Sequence, residues 1–264
     1  MRGDRKLLYS SSDEPEYTYV DQAGINLDEN NGISFNTNWY GVVNGSTTNN
    51  VAYNFKRAPG FFDMVAYTGT GGNNAVNHNL GVTPEFVIIK DRNRTTANTR
   101  DWLCWHKDLT STDPYIWLNQ SSAEGPYGAT WITPSSTALN LSYANYVNVS
   151  SNNYITYLFA TLSGISKVGS YTGTGNAISV DCGFAAGARF ILIKRTNSTG
   201  DWYVWDTARG IVSGNDEYGL LNANGANVTN TDYIDPLTSG FTVTSSAPDA
   251  LNVTGGTYIF LAIA

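Results

Sequence analysis

The chain repeats itself at an interval of 104 residues. Ala66-Tyr67-Thr68-Gly69-Thr70-Gly71 returns as Ser170-Tyr171-Thr172-Gly173-Thr174-Gly175, and Phe86-Val87-Ile88-Ile89-Lys90 returns as Phe190-Ile191-Leu192-Ile193-Lys194. Asn148-Val149 followed by Tyr154-Ile155 returns as Asn252-Val253 followed by Tyr258-Ile259. One spacing held across separate motifs marks a duplicated folding unit. Asp101-Trp102-Leu103-Cys104-Trp105 answers Asp201-Trp202-Tyr203-Val204-Trp205 at a spacing of 100, so the earlier copy carries a polar loop over 92–100 that is four residues longer. Upstream, Asn50 to Phe55 aligns with Tyr154 to Phe159, Gly32-Ile33-Ser34-Phe35 meets Gly240-Phe241-Thr242-Val243 at twice the spacing, and Arg2-Gly3 answers Arg209-Gly210 one residue out of register. The division that follows is 1–57 as the C-terminal half of a first repeat, 58–162 as a second and 163–264 as a third. Residues 1–57 as an independent domain would need a core of their own, which so short a segment rarely builds.

What one repeat folds into follows from its punctuation. With 26 Gly, abundant Asn, Ser and Thr, and only 14% charged residues, the composition starves helices and feeds turns and strands. Asp63 to Tyr67 alternates, Ala75 to His78 follows, and Gly81-Val82-Thr83-Pro84 breaks the chain before the Phe86 to Lys90 run, which is apolar on both faces and reads as a central strand. Trp102 to His106 and Tyr115 to Leu118 read as its neighbours, and Tyr154 to Leu162 as the closing strand. Turn signals about every 8 to 12 residues, without a helical period, predict an all-β fold of tandem antiparallel β-sandwich, jelly-roll-like repeats with seven or eight strands each. Joined almost without a linker, such sandwiches are expected to form a semi-rigid rod. The C-terminal Phe260-Leu261-Ala262-Ile263-Ala264 is expected to be a buried strand of the last one.

Charge and length exclude several classes. Fifteen Lys and Arg against 22 Asp and Glu leave a net charge of −7, which repels phosphates and argues against nucleic acid and anionic membranes as partners. The longest apolar runs, Tyr154 to Ala160 and Tyr258 to Ala264, fall far short of the roughly 20 residues of a spanning helix. The start, Met-Arg-Gly-Asp-Arg-Lys, has no apolar stretch after it of signal-peptide length, so cleaved-signal secretion is not expected. Cys104 and Cys182 match no disulfide scaffold or zinc spacing and read as buried thiols.

The motifs also resemble a known family: the repeats of tail-fibre and other virion proteins of tailed phages, especially those of marine cyanobacteria. The likeness is carried by the lead-in Phe55-Lys56-Arg57-Ala58-Pro59-Gly60-Phe61-Phe62-Asp63, the Tyr67 to Gly71 turn, the segment His78-Asn79-Leu80-Gly81-Val82-Thr83-Pro84, the Ile88-Ile89-Lys90 strand, the Trp-bearing strand and the Tyr154 to Ala160 close. It covers most of the chain. The third copy departs from it with Cys182-Gly183-Phe184-Ala185-Ala186-Gly187 in place of His78 to Thr83. The resemblance implies a virion protein assembled in the host cytoplasm and placed on the tail fibre or capsid surface. It further implies adhesion to the host surface, other virion proteins as partners and a homo-oligomer, in particular a homotrimer. It supplies no catalytic residue, no cofactor and no metal.

Each chemical motif has a plainer reading beside the functional one. Arg2-Gly3-Asp4 spells an integrin tripeptide but falls at a repeat turn. Thr68 to Gly72 has the glycines of a phosphate loop without its Lys-Ser/Thr or helix, and reads as a hairpin turn. His78 and His106 lack a nucleophile motif and read as strand residues with satisfied hydrogen bonds. Asp13, Glu14, Glu16, Asp28 and Glu29 could supply the paired carboxylates of a glycosidase or oxygen ligands for Ca²⁺, or form a solvated loop. Trp102, Trp105, Trp202 and Trp205 occupy equivalent places and suit a core. Tyr115, Trp117, Tyr127 and Trp131 lie in or beside the 121–130 loop, where the third copy has Tyr218, Asn222 and Asn224. They are the candidate ligand residues, since a flat ring can stack on the apolar face of a sugar while Asn, Ser or Glu bond its hydroxyls. The expectation is thus a non-enzymatic module that adheres to a host-surface polysaccharide. A capsid decoration or fibre shaft without ligand, and a glycan depolymerase, stand as alternatives.

Overall fold

The computed structural model describes residues 53–93, 101–110, 114–126, 131–142, 144–223 and 227–264, together with the backbone of 25–28 and 32–35. The chain divides into two compact units, Met1–Asn54 and Phe55–Ala264. In the first, β1 (Ile25–Asp28) pairs with β2 (Gly32–Phe35) in an antiparallel hairpin.

The second unit holds two sandwiches, confirming the all-β class. The described residues of the 58–162 repeat form nine strands: β3 (Phe62–Thr68), β4 (Asn74–Asn77), β5 (Phe86–Asp91), β6 (Trp102–His106), β7 (Pro114–Trp117), β8 (Gly125–Pro126), β9 (Ile132–Pro134), β10 (Ala138–Leu141) and β11 (Asn153–Phe159). They form a large sheet, ordered β3-β11-β5-β6-β7-β8, and a small one, β4-β10-β9. First strand pairs with last and second with next-to-last, the nesting of a jelly roll, and β5 to β8 then run on as a meander. The third repeat copies this plan. Its strands β12 (Ser166–Thr172), β13 (Ile178–Asp181), β14 (Phe190–Arg195), β15 (Trp202–Asp206), β16 (Asp216–Leu220), β17 (Val228–Thr231), β18 (Ile234–Leu237), β19 (Gly240–Val243) and β20 (Thr257–Ile263) give sheets β12-β20-β14-β15-β16-β17 and β13-β19-β18. One helical turn, α1 (Asp249–Asn252), precedes β20. In the first unit, Gly32–Phe35 pairs with the strand before it just as Gly240–Val243 pairs with β18, glycine to the last residue of the partner strand in each case.

The repeated motifs turn out to be clamps. The Thr-Gly-Thr-Gly segments join β3 to β4 and β12 to β13, which lie in different sheets, so they are crossovers rather than the hairpin turns expected. Buried Asn148 holds the first, accepting from Thr70 N at 2.8 Å and donating to the Gly72 carbonyl; buried Asn252 holds the second, accepting from Thr174 N at 3.0 Å and donating to Asn176 O at 2.7 Å. Glycine is required here because a Cβ on Gly69 or Gly173 would stand 2.0 or 2.2 Å from the carbonyl oxygen of Val149 or Val253. Tyr67 and Tyr171 brace the same corners by donating to Val147 O and Leu251 O, each stacked on the tyrosine of the closing strand, Tyr154 or Tyr258. The lead-in is tied down likewise: buried Asp63 pairs with Arg57 and accepts from Asn79 N, linking it to the His78 to Pro84 segment.

Each large sheet buries both faces. Val87 and Ile89 point into the second repeat's own core with Leu139 and Leu158, yet Phe86, Ile88, Cys104 and Ile116 on the reverse face are buried too. In the third repeat Leu192, Trp202, Val204 and Leu261 do the same. The two reverse faces cover each other. Phe86 stacks on Trp202 at 6.2 Å, Trp202 Nε1 donates to Trp117 O at 2.8 Å, and His106 Nε2 lies 3.5 Å from Phe260 O. The segment after β7 then crosses onto the third repeat, where Glu124 N donates to Thr196 O and Gly200 N donates to Ser121 O. Fully buried Lys194 closes the seam, donating to the carbonyls of Ser121, Ser122 and Gly200 at 3.2, 2.8 and 2.6 Å. The expectation of separate sandwiches strung into a rod is therefore corrected for these two repeats. A strand apolar on both faces signalled a second packing partner as well as a central position.

Candidate functional site

Strand geometry decides where the candidate aromatics go. Tyr115 and Trp117 are two apart on β7, so both face the second repeat's own core, and Trp131 enters the same core at the start of β9. Tyr115 stacks on Trp131 at 5.9 Å and meets Trp117 edge-on at 5.0 Å. Tyr146, which sequence reasoning missed, completes the group at 4.8 Å from Trp117 and 6.3 Å from Trp131. Trp117 and Trp131 are buried, Tyr115 and Tyr146 are half-buried, and Asn145, the neighbour of Tyr146 in the chain, is exposed. Tyr127 lies outside the described residues, as do the acidic side chains of Asp13, Glu14, Glu16, Asp28 and Glu29. The signal for Tyr146 was present in the repeat, since its counterpart at the 104 spacing is Ala250.

Register shows that this cluster has a counterpart. Leu103 pairs with Trp117 as Tyr203 pairs with Leu220, which makes Tyr115 equivalent to Tyr218; the β9–β10 and β18–β19 pairings make Trp131 equivalent to Tyr233. Tyr203, Trp205, Tyr218 and Tyr233 form the matching group, with centroids 5.1 to 5.8 Å apart in successive contacts. Two of the aromatics read from sequence as unrepeated are thus repeated, and the third, Trp117, exchanges size with its cross-strand partner. Packing accounts for the buried rings, which leaves half-buried Tyr115 and Tyr146 as the members of the cluster able to meet a ligand.

The remaining polar candidates are occupied. His78 Nε2 lies 3.1 Å from Ser135 O and its Nδ1 accepts from Leu80 N; His106 Nδ1 accepts from Asp108 N at 3.1 Å, which leaves the proton on the nitrogen facing Phe260 O. Both histidines have the satisfied hydrogen bonds expected of them, although His78 stands just past the end of β4. Burial pushes His106 down to about 4, with Asp108 opposing, so it is neutral near pH 7. Burial raises Cys104 well above the ordinary thiol range and Cys182 to about 12, and both are free thiols. Among the described residues no three His, Cys, Asp or Glu side chains are grouped so as to hold a metal by themselves, and no helix is long and apolar enough to cross a membrane.

Fold and site together define an all-β protein in which two related sandwiches of one chain share a buried face. The chain belongs to the DUF7483 family, a domain of unknown function whose model matches residues 1–264. No curated protein and no solved structure matches it.

Proposed function

We propose that this chain is a phage virion structural protein, a tail-fibre or surface module that attaches to a host cell-surface glycan as a homo-oligomer, without enzymatic activity. The observation that carries the adhesion reading is the aromatic cluster of the second repeat, where half-buried Tyr115 and Tyr146 pack on buried Trp131 and Trp117, with exposed Asn145 next to Tyr146. An apolar platform bordered by amides is what a sugar face and its hydroxyls require. The motif likeness to virion repeats supplies the location, and weak sites multiplied by oligomerisation supply the avidity. A second reading, a decoration or shaft protein without ligand, draws on the burial of Trp117 and Trp131 and on the repetition of their cluster.

Tyr146→Ala separates the two, because the third repeat already folds with Ala250 at that position. On the adhesion reading, labelled full-length protein decorates host cells, binds their isolated polysaccharide, and loses roughly tenfold in affinity on Tyr146→Ala with its Tm little changed. Absence of cell and polysaccharide binding by an oligomer confirmed by light scattering would leave the ligand-free reading. Release of oligosaccharides would instead establish a depolymerase.

A further inference from the structure

We propose a binding site for a hard divalent cation, Ca²⁺ in the first instance, in the third repeat between the start of β16 and the β17–β18 link, with Asp216 and Asp232 as its carboxylate ligands. Asp216 is 1% exposed, and its Oδ2 has no hydrogen-bond partner; Oδ1 accepts from Val212 N at 2.8 Å. The Oδ1 of Asp232 is likewise buried without a partner. Asp235 stands nearby on β18, accepting from Gly214 N at 3.2 Å, so the 212–214 loop joins two of the three carboxylates.

The local backbone accounts for this placement. The β16–β17 ladder shifts register between Asp216 and Tyr218, and such a bulge re-aims the side chain next to it. Gly214 takes a φ of 93°, which lets the loop turn its amides onto the two carboxylates. Asp216 pairs with Thr231 across the β16–β17 ladder, which places it next to the Asp232–Asp235 segment. A buried carboxylate oxygen without a donor, beside two further acids, is costly unless a proton or a cation meets it. Because no three acidic side chains among the described residues are close enough to ligate one ion alone, the ion would take two carboxylates and complete its shell of oxygens from backbone carbonyls and water, the mixed set that Ca²⁺ accepts and softer metals do not. The second repeat provides an internal contrast, since β9 carries Thr133 where β18 carries Asp235.

The test is made on the full chain, with Tb³⁺ as a luminescent probe sensitised by Tyr233 and with Ca²⁺ alone. Expected are a saturable Tb³⁺ signal displaced by Ca²⁺ and a Tm that rises by roughly 3–8 °C in about 10 mM Ca²⁺. Asp216→Asn and Asp232→Asn should lose both responses, while Asp181→Asn, an exposed acid of the same repeat, keeps them. Each Asn variant relieves charge repulsion, so it should match or exceed the parent's Tm in chelator and fall below it in Ca²⁺. A difference in Tm between parent and Asp216→Asn that is the same with and without Ca²⁺, with no saturable Tb³⁺ signal, would overturn the site and leave a proton as what the carboxyl holds.

Discussion

Two buried residues couple stability to pH in opposite senses. His106 titrates near 4 in the fold against 6.5 unexposed to it, so the unfolded chain takes the proton first, and stability is full above about 6.5 and drains as pH falls towards 4. Asp216, raised from 3.8 to about 6, acts the other way: the native state takes its proton first, and the cost of its charge, present above about 6, disappears on acidification. His106→Gln isolates the first effect. The Tm gap between parent and variant should narrow between about pH 7 and pH 4.5, followed by circular dichroism; a constant gap would mean that His106 is not held neutral in the seam. Residues of this kind were only partly legible in the sequence. The repeat singled out Asn148, Asn252, Tyr67 and Tyr171 by recurrence, but that they clamp a crossover between sheets depends on long-range partners such as Val147 O and Leu251 O.

At the scale of elements, the alternating and doubly apolar strands β3, β5, β6 and β11 were readable because burial imposes their pattern. Strands β8, β9 and β10 were not read from the sequence, and the first two have physical reasons. β8 is two residues long, and β9 is a three-residue edge strand ending in Pro134, a residue that ordinarily argues against a strand and is tolerated only where no ladder partner is lost. The candidate site was half legible for a related reason. A ring absent from the other copy suggested function, whereas Leu103–Trp117 and Tyr203–Leu220 show one cross-strand pair filled in two ways. Transplanting the pair tests this. Leu103→Tyr should overpack and Trp117→Leu should leave a cavity, each costing about 1–3 kcal/mol in denaturant unfolding. The double variant should recover at least about 1 kcal/mol of the sum, and strict additivity would show that the two positions do not share one volume.

For the whole Phe55–Ala264 unit, the deciding fact is that each large sheet is covered twice, by its own small sheet and by the other repeat. β20 lies between β12 and β14, so removing its last six residues, Ile259 to Ala264, strips the centre of one large sheet and part of the shared seam; the truncated chain should fail to appear in the soluble fraction, and unchanged solubility would contradict the strand's central place. The most direct test of the shared core is hydrogen exchange by mass spectrometry on Leu139→Ala. Leu139 is fully buried on β10 in the second repeat's own core, on the small sheet, and the change costs about 2–5 kcal/mol. If the two repeats unfold as one unit, β14 and β20 of the third repeat should exchange faster by nearly the same factor as β5 and β11 of the second. Acceleration confined to residues 62–159 would show two sandwiches that open independently, and the shared buried face would not be the foundation of the fold.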